Sequence, residues 1–207
     1  MQKIFRFIVL LIFMILLVSC DVFLSPREGR WNLLDPDNEL EWVDVVLPVE
    51  VDGYVDANDI GYFDSPFLVS DWMNFPETTT LIRFDYSNLP EYVDSAILQL
   101  YTTPASALGN LEVYVIGQSW TPDTIRWAPI YDKSIVDEDC PFSPVMGPVD
   151  FIGEYNGFDV SELVRYMQEH KDTYGFLLES NSGHVEFDSS RGANGPRLQV
   201  TGWDIPD

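Results

Sequence analysis

From residue 45 onward, apolar and polar residues alternate over short stretches separated by turn residues, and this two-residue period constrains the fold more than any other feature. Ile82, Phe84 and Tyr86 fall on one face of an extended segment, with Arg83 and Asp85 on the other. Leu111, Val113 and Val115 oppose Glu112 and Tyr114 in the same way, and Leu198 and Val200 oppose Gln199 and Thr201. Successive side chains of a β-strand point to opposite faces, so each segment has one apolar and one wet face. Strands are expected over 45–51, 79–86, 95–102, 111–118, 175–180, 184–188 and 197–203. Such strands bury their apolar faces by pairing antiparallel and packing two sheets together, so the expected class is all-β, an antiparallel β-sandwich. One segment breaks the period. Val160, Leu163, Val164 and Met167 recur at helical spacing, with Asp159 placed as N-cap and Glu162 completing a capping box. A single short α-helix is expected there, plugging one open end of the sandwich.

The N-terminus has the shape of a bacterial lipoprotein export signal. Lys3 and Arg6 supply a positive start, residues 8–18 are an unbroken apolar run, and small Ser19 precedes Cys20. A spanning helix of about 20 apolar residues is the competing reading, but it would not require a thiol immediately after a small residue. Lipid transfer does, because the thiol forms the thioether. The expected organisation is a signal peptide over 1–20, a polar tether over 21–44 and a β-sandwich domain over 45–207. The mature protein is then expected at the bacterial cell envelope, outside the cytoplasm, with the membrane as a partner through lipid on Cys20.

Formal charge is −23, and losing Lys3 and Arg6 with the leader takes it to −25. A surface of that sign repels polyanions, and no Lys/Arg-rich stretch counters it, so nucleic acid is not an expected partner. With Cys20 acylated, Cys140 has no partner for an intramolecular disulfide, and the fold rests on its core. The carboxylates in the run 137–139 beside Cys140 disfavour its thiolate, which argues against a nucleophile. His170 and His184 have no His or Cys at metal-ligand spacing, and no nucleophile elbow, phosphate loop or dinucleotide fingerprint is present. The 34 acidic residues are too many for spacing alone to single out a catalytic pair.

A set of local motifs follows in order along the domain. Val51-Asp52-Gly53-Tyr54-Val55 precedes Asn58 and Gly61; Leu81-Ile82-Arg83-Phe84-Asp85 precedes Leu89-Pro90; then come Ser95-Ala96-Ile97-Leu98-Gln99-Leu100-Tyr101, Trp120-Thr121 and Ile125-Arg126-Trp127 with Pro129. Phe158-Asp159-Val160-Ser161-Glu162-Leu163-Val164, Tyr174-Gly175-Phe176-Leu177-Leu178 and Pro196-Arg197-Leu198-Gln199-Val200 complete the series. This order resembles the DNRLRE domain, a jelly-roll-like module of bacterial surface proteins related to carbohydrate-binding modules. The acidic residue often found two positions after the first tryptophan is Pro122 here, and the family's Ser-Arg-Glu appears as Ser190-Arg191-Gly192.

The resemblance implies a jelly-roll-like sandwich and a non-catalytic module that binds carbohydrate, with polysaccharide or an envelope protein as partner. A structural or adhesion module binding protein only is the alternative, and a glycan-active enzyme the third reading. Sugar C–H faces stack on flat aromatic rings, so aromatics in irregular segments are the candidates for a ligand platform: Trp72, Tyr62 and Phe63, with Trp203 a further one. Trp120 and Trp127 sit at motif positions and are read as packing. Modules of this type often hold a structural calcium ion, for which Asp52, Asp56, Asn58 and Asp59 are the candidate oxygen ligands. Some relatives bind anionic polysaccharide, which here would need a local basic patch from Arg83, Arg126 and Arg191, or bridging calcium.

Overall fold

The computed structural model describes residues 40–205 apart from Met73, Phe75, Pro76, Asp172 and Ser182. The expected signal peptide, the lipid site at Cys20 and residues 21–39 of the expected tether lie outside the described residues. The first strand, β1 (Glu41–Leu47), starts four residues ahead of the expected Val45, inside the segment read as tether. Pro48 then divides the single expected strand over 45–51, because it has no N–H to continue a ladder, and β2 follows at Val49–Asp56.

The remaining elements are β3 (Gly61–Tyr62), β4 (Phe67–Asp71), β5 (Thr78–Phe84), β6 (Tyr92–Tyr101), β7 (Gly109–Val115), α1 (Trp127–Tyr131), β8 (Val145–Val149), β9 (Tyr155–Asp159), α2 (Ser161–Glu169), β10 (Phe176–Ser180), β11 (His184–Asp188) and β12 (Arg197–Asp204). The smaller sheet has the order β1-β12-β6-β9, and the larger runs β11-β4-β5-β10-β7-β8, with β2 paired to β5 and to β3. Every strand pairing is antiparallel. The expected all-β sandwich is what forms.

The main core lies between the sheets. Ala96, Leu98, Leu100, Phe158, Leu198 and Val200 from the smaller sheet meet Ile82, Phe84, Leu111, Val113, Val115, Phe176 and Leu178 from the larger. The expectation of one wet face per strand fails for part of the larger sheet. Leu81 and Leu177, on its other face, join Val55, Phe63, Ile116, Trp120, Ile125, Ile130 and Ile135 in a second core. The long excursion after β7, including α1, covers that face. Leu177 sits in the uninterrupted apolar run of β10, as befits a strand buried on both sides.

Four short strands and α1 were not expected. β8 and β9 carry glycine and proline, which read as loop. Gly147 is needed there because a Cβ would come within 2.7 Å of the Phe158 ring. The helix α2 buries Leu163, Val164 and Met167 against the main core and packs on β6. Its N-cap is Val160 rather than Asp159. Asp159 still serves the first turn, since its Oδ1 accepts from the Ser161 amide at 3.0 Å, and bonds from Ser161 hold its carboxyl below the ordinary range. Glu162 pairs with Arg165 instead of reaching back to close a capping box.

Three tyrosines tie this packing to pH. Burial above all raises the phenols of Tyr86, Tyr114 and Tyr166, the last to about 12 with help from its bond to Asp137. A phenol whose pKa is raised by folding contributes stability below its unfolded value near 10, and loses it as pH rises through the folded value. Denaturant midpoints are therefore expected to hold steady up to about pH 9.5 and to fall steeply beyond about pH 10. Tyr86→Phe should soften the fall; an identical slope in that variant would overturn the assignment.

Candidate functional site

Of the aromatics proposed as one platform, Phe63 does not reach the surface. Phe63 is buried at 9 % exposure, its ring lying where a Cβ on Gly53 would stand, 2.2 Å from the nearest ring carbon. It packs toward Trp120, so it belongs to the second core and offers no face to a ligand. Tyr62 stacks on Tyr54 with centroids 4.5 Å apart, and its hydroxyl donates to Asp56. Trp72 is exposed and lies parallel to Tyr131, at 6.4 Å. Trp120 is buried, in line with the packing role read from its motif, while Trp127 is half-buried against the same core.

Three of the four candidate calcium ligands, Asp52, Asp56 and Asp59, accept from separate protein donors, and the fourth, Asn58, donates its amide to Asp56. Asp52 is wholly buried and accepts from the amide and hydroxyl of Ser190 and from Arg191. Asp56 accepts from the amides of Asn58 and Ile60 through Oδ1. Asp59, at a φ of 64°, accepts from the Trp127 amide. Among the described residues, no group of three or more His, Cys, Asp or Glu is arranged to hold a metal ion.

The three arginines that a basic patch would need are each engaged within the protein. Arg83 makes two bonds to Glu50 and lies over the Trp120 ring. Arg126 donates to the carbonyls of Asp123 and Ile125, and Arg191 is held by Asp52. Burial, followed by the Asp137 carboxylate, pushes the Cys140 thiol up, away from a nucleophile's range. Neighbouring acid was expected to dominate there, whereas desolvation is the larger cause. His170 stacks on Tyr166, and His184 contacts Asp71 at 3.1 Å.

Among the described residues, the outer face of the smaller sheet stays open. Strand register orders its outward side chains in five rows. Trp42, Trp203 and Tyr92 form the first, and Asp44, Thr201 and Ser95 the second. Val46, Gln199 and Ile97 lead the third, Arg197 and Gln99 the fourth, and Tyr101 and Tyr155 the fifth. Rows two residues apart are separated by about 7 Å, so the face is roughly 27 Å long. Both ends are aromatic. Trp42 and Trp203, 48 % and 40 % exposed, meet edge to face at 5.0 Å. At the other end Tyr101 and Tyr155 lie 5.4 Å apart, with the Arg197 guanidinium 4.5 Å over the Tyr155 ring.

The centre is polar and ordered by hydrogen bonds. The Gln199 amide donates to both Asp44 oxygens at 3.2 and 3.3 Å, and the Gln99 amide donates to Gln199 Oε1 at 3.4 Å. Flat rings at the ends offer stacking surface, and amides between them offer donors and acceptors in fixed orientation.

Sequence reasoning reached Trp203 but missed the face. Trp42 and Asp44 fell in the expected tether, and β9, which carries Tyr155, was not expected at all. The outward positions of Gln199 and Thr201 were legible from alternation. Their neighbours were not, because β12 pairs with the distant β1 and β6.

A family model described as carbohydrate-binding module family 96 matches residues 46–202, from within β1 to within β12. No curated protein matches the chain.

Proposed function

The chain belongs to carbohydrate-binding module family 96, and from that premise we propose a non-catalytic glycan-binding module whose ligand lies along the open face of the smaller sheet. The observation that carries this reading is the contrast between the two sheets. On the larger one, Leu81 and Leu177 of the outer face are buried in the second core, whereas the outer face of the smaller one keeps aromatic rings at each end of a hydrogen-bonded amide row. Sugar rings stack their C–H faces on Trp and Tyr, and their hydroxyls pair with Gln and Asp. Fold alone does not choose a ligand; the side chains of this face do.

Lipid on Cys20 would hold the module at a bacterial envelope, and the roughly 20 residues before β1 span at most about 70 Å when extended. The domain then has reach without a further membrane segment.

Affinity electrophoresis against a polysaccharide panel, with and without calcium, tests the reading. Retardation in at least one gel is expected, and the double variant Trp42→Ala, Trp203→Ala should weaken it by about tenfold, as the loss of aromatic contacts implies. Cys20→Ser should release the protein from membranes and leave retardation unchanged. If no polysaccharide retards the protein under either condition, glycan binding is wrong and a protein-only adhesion role takes its place.

A further inference from the structure

Trp72, which the open sheet face does not include, stands in a second aromatic cluster. Trp127 and Tyr131 are four residues apart in α1, a spacing that brings both side chains to one side of a helix. Tyr131 is 60 % exposed, and Trp72, which follows β4, is 44 % exposed. These two rings lie within 12° of parallel with centroids 6.4 Å apart, and the Trp127 ring is 6.5 Å from that of Tyr131. Ile130 of α1 enters the second core, which covers the outer face of the larger sheet. The cluster therefore lies across the sandwich from the open face of the smaller sheet.

The rings are held from both sides. Asp59, in the left-handed region at a φ of 64°, accepts from the Trp127 amide and ties the start of α1 to the turn between β2 and β3. Asp71 accepts from the amide and the side chain of Asn74 at 3.0 and 2.8 Å and contacts His184 at 3.1 Å, which fixes the chain around Trp72. Rings ordered in advance lose little freedom when a ligand arrives. Asp59 and Asp132, at the two ends of α1, are exposed carboxylates able to accept from hydroxyls. An acyl chain would leave those acceptors unserved, whereas a pyranose has C–H groups on its face and hydroxyl donors on its rim.

We infer that Trp72, Tyr131 and Trp127 form a second sugar-binding site, which makes the module bivalent. One glycan chain lies on the open face, and a sugar of another stacks on this cluster. This rests on the glycan-binding reading above and adds a site that the smaller sheet does not supply.

The test uses the full chain in affinity gels of mixed-linkage glucan, mannan, xylan or a polyuronate. In a gel that retards the unsubstituted protein, Trp72→Ala with Tyr131→Ala should weaken retardation by about three- to tenfold. Trp42→Ala with Trp203→Ala should leave a remainder, which all four substitutions together abolish. Melting curves verify folding, and Tyr131→Ala alone reads the effect if the double variant does not fold. Equal retardation with and without the Trp72 and Tyr131 substitutions would overturn the second site and leave the open face standing, as would complete loss in the Trp42 and Trp203 variant. Retardation in no gel would overturn both.

Discussion

Trp120→Ala is expected to destabilise the domain by about 3–5 kcal/mol, the range for emptying a large buried aromatic site. The ring is 2 % exposed and is the largest side chain in the second core. Its indole Nε1 donates to the Tyr174 carbonyl at 2.8 Å, and the Arg83 guanidinium lies 5.2 Å from the ring while donating to the Trp120 carbonyl. Alanine removes the volume that joins the excursion after β7 to the outer face of the larger sheet, and leaves the Tyr174 carbonyl without that donor. Trp120→Phe keeps an aromatic ring but loses the indole bond, so a smaller loss of about 1–2 kcal/mol is expected. Urea denaturation of both variants measures this. A loss below about 1 kcal/mol for alanine would mean that the second core contributes little to stability.

Asp52→Ala is the second large effect, a loss of about 3 kcal/mol, because truncating one partner of a buried pair strands the other. The carboxylate has no solvent exposure and receives bonds from the Ser190 amide at 2.6 Å, the Ser190 hydroxyl at 2.7 Å and Arg191 at 3.0 Å. Those bonds fasten β2 to the turn that leads into β12. Arg191 is 42 % exposed and can rehydrate, which sets the effect below that of a fully enclosed pair. Asp52→Asn should lie between, retaining one acceptor oxygen but turning an amide toward donors. Thermal melts in chelator separate this role from a calcium ligand. A chelator that lowers the melting temperature of the unsubstituted protein as far as Asp52→Ala does would assign Asp52 to an ion.

Much of the fold was legible because strand periodicity is local. The alternation at 82–86, 111–115 and 198–201 marked β5, β7 and β12, and the helical spacing of Val160, Leu163, Val164 and Met167 marked α2. Side chains two or four residues apart determine such patterns, whatever the rest of the chain does. The misses share a cause. β8 and β9 look like loop until Gly147 is seen to make room for Phe158, a residue eleven positions away on another strand. The donors that hold Asp52 and Asp56, on Ser190, Arg191 and Tyr62, are likewise absent from the local pattern. A carboxylate's role depends on what folds against it.

The candidate site was less legible than the fold. Of the aromatics singled out in irregular segments, Phe63 entered a core that alternation could not foresee, because that core forms between the outer face of one sheet and a loop. The face now proposed for glycan unites β1, β12, β6 and β9, drawn from both ends and the middle of the domain. By itself the amino-acid order determined that the chain makes half-apolar strands, which must pair and pack as a sandwich, with one amphipathic helix against the core. Tertiary structure alone decided which strand faces were covered and which left open. Burial and register are properties of segments brought together from far along the chain, and a local period carries no record of the partner it will meet.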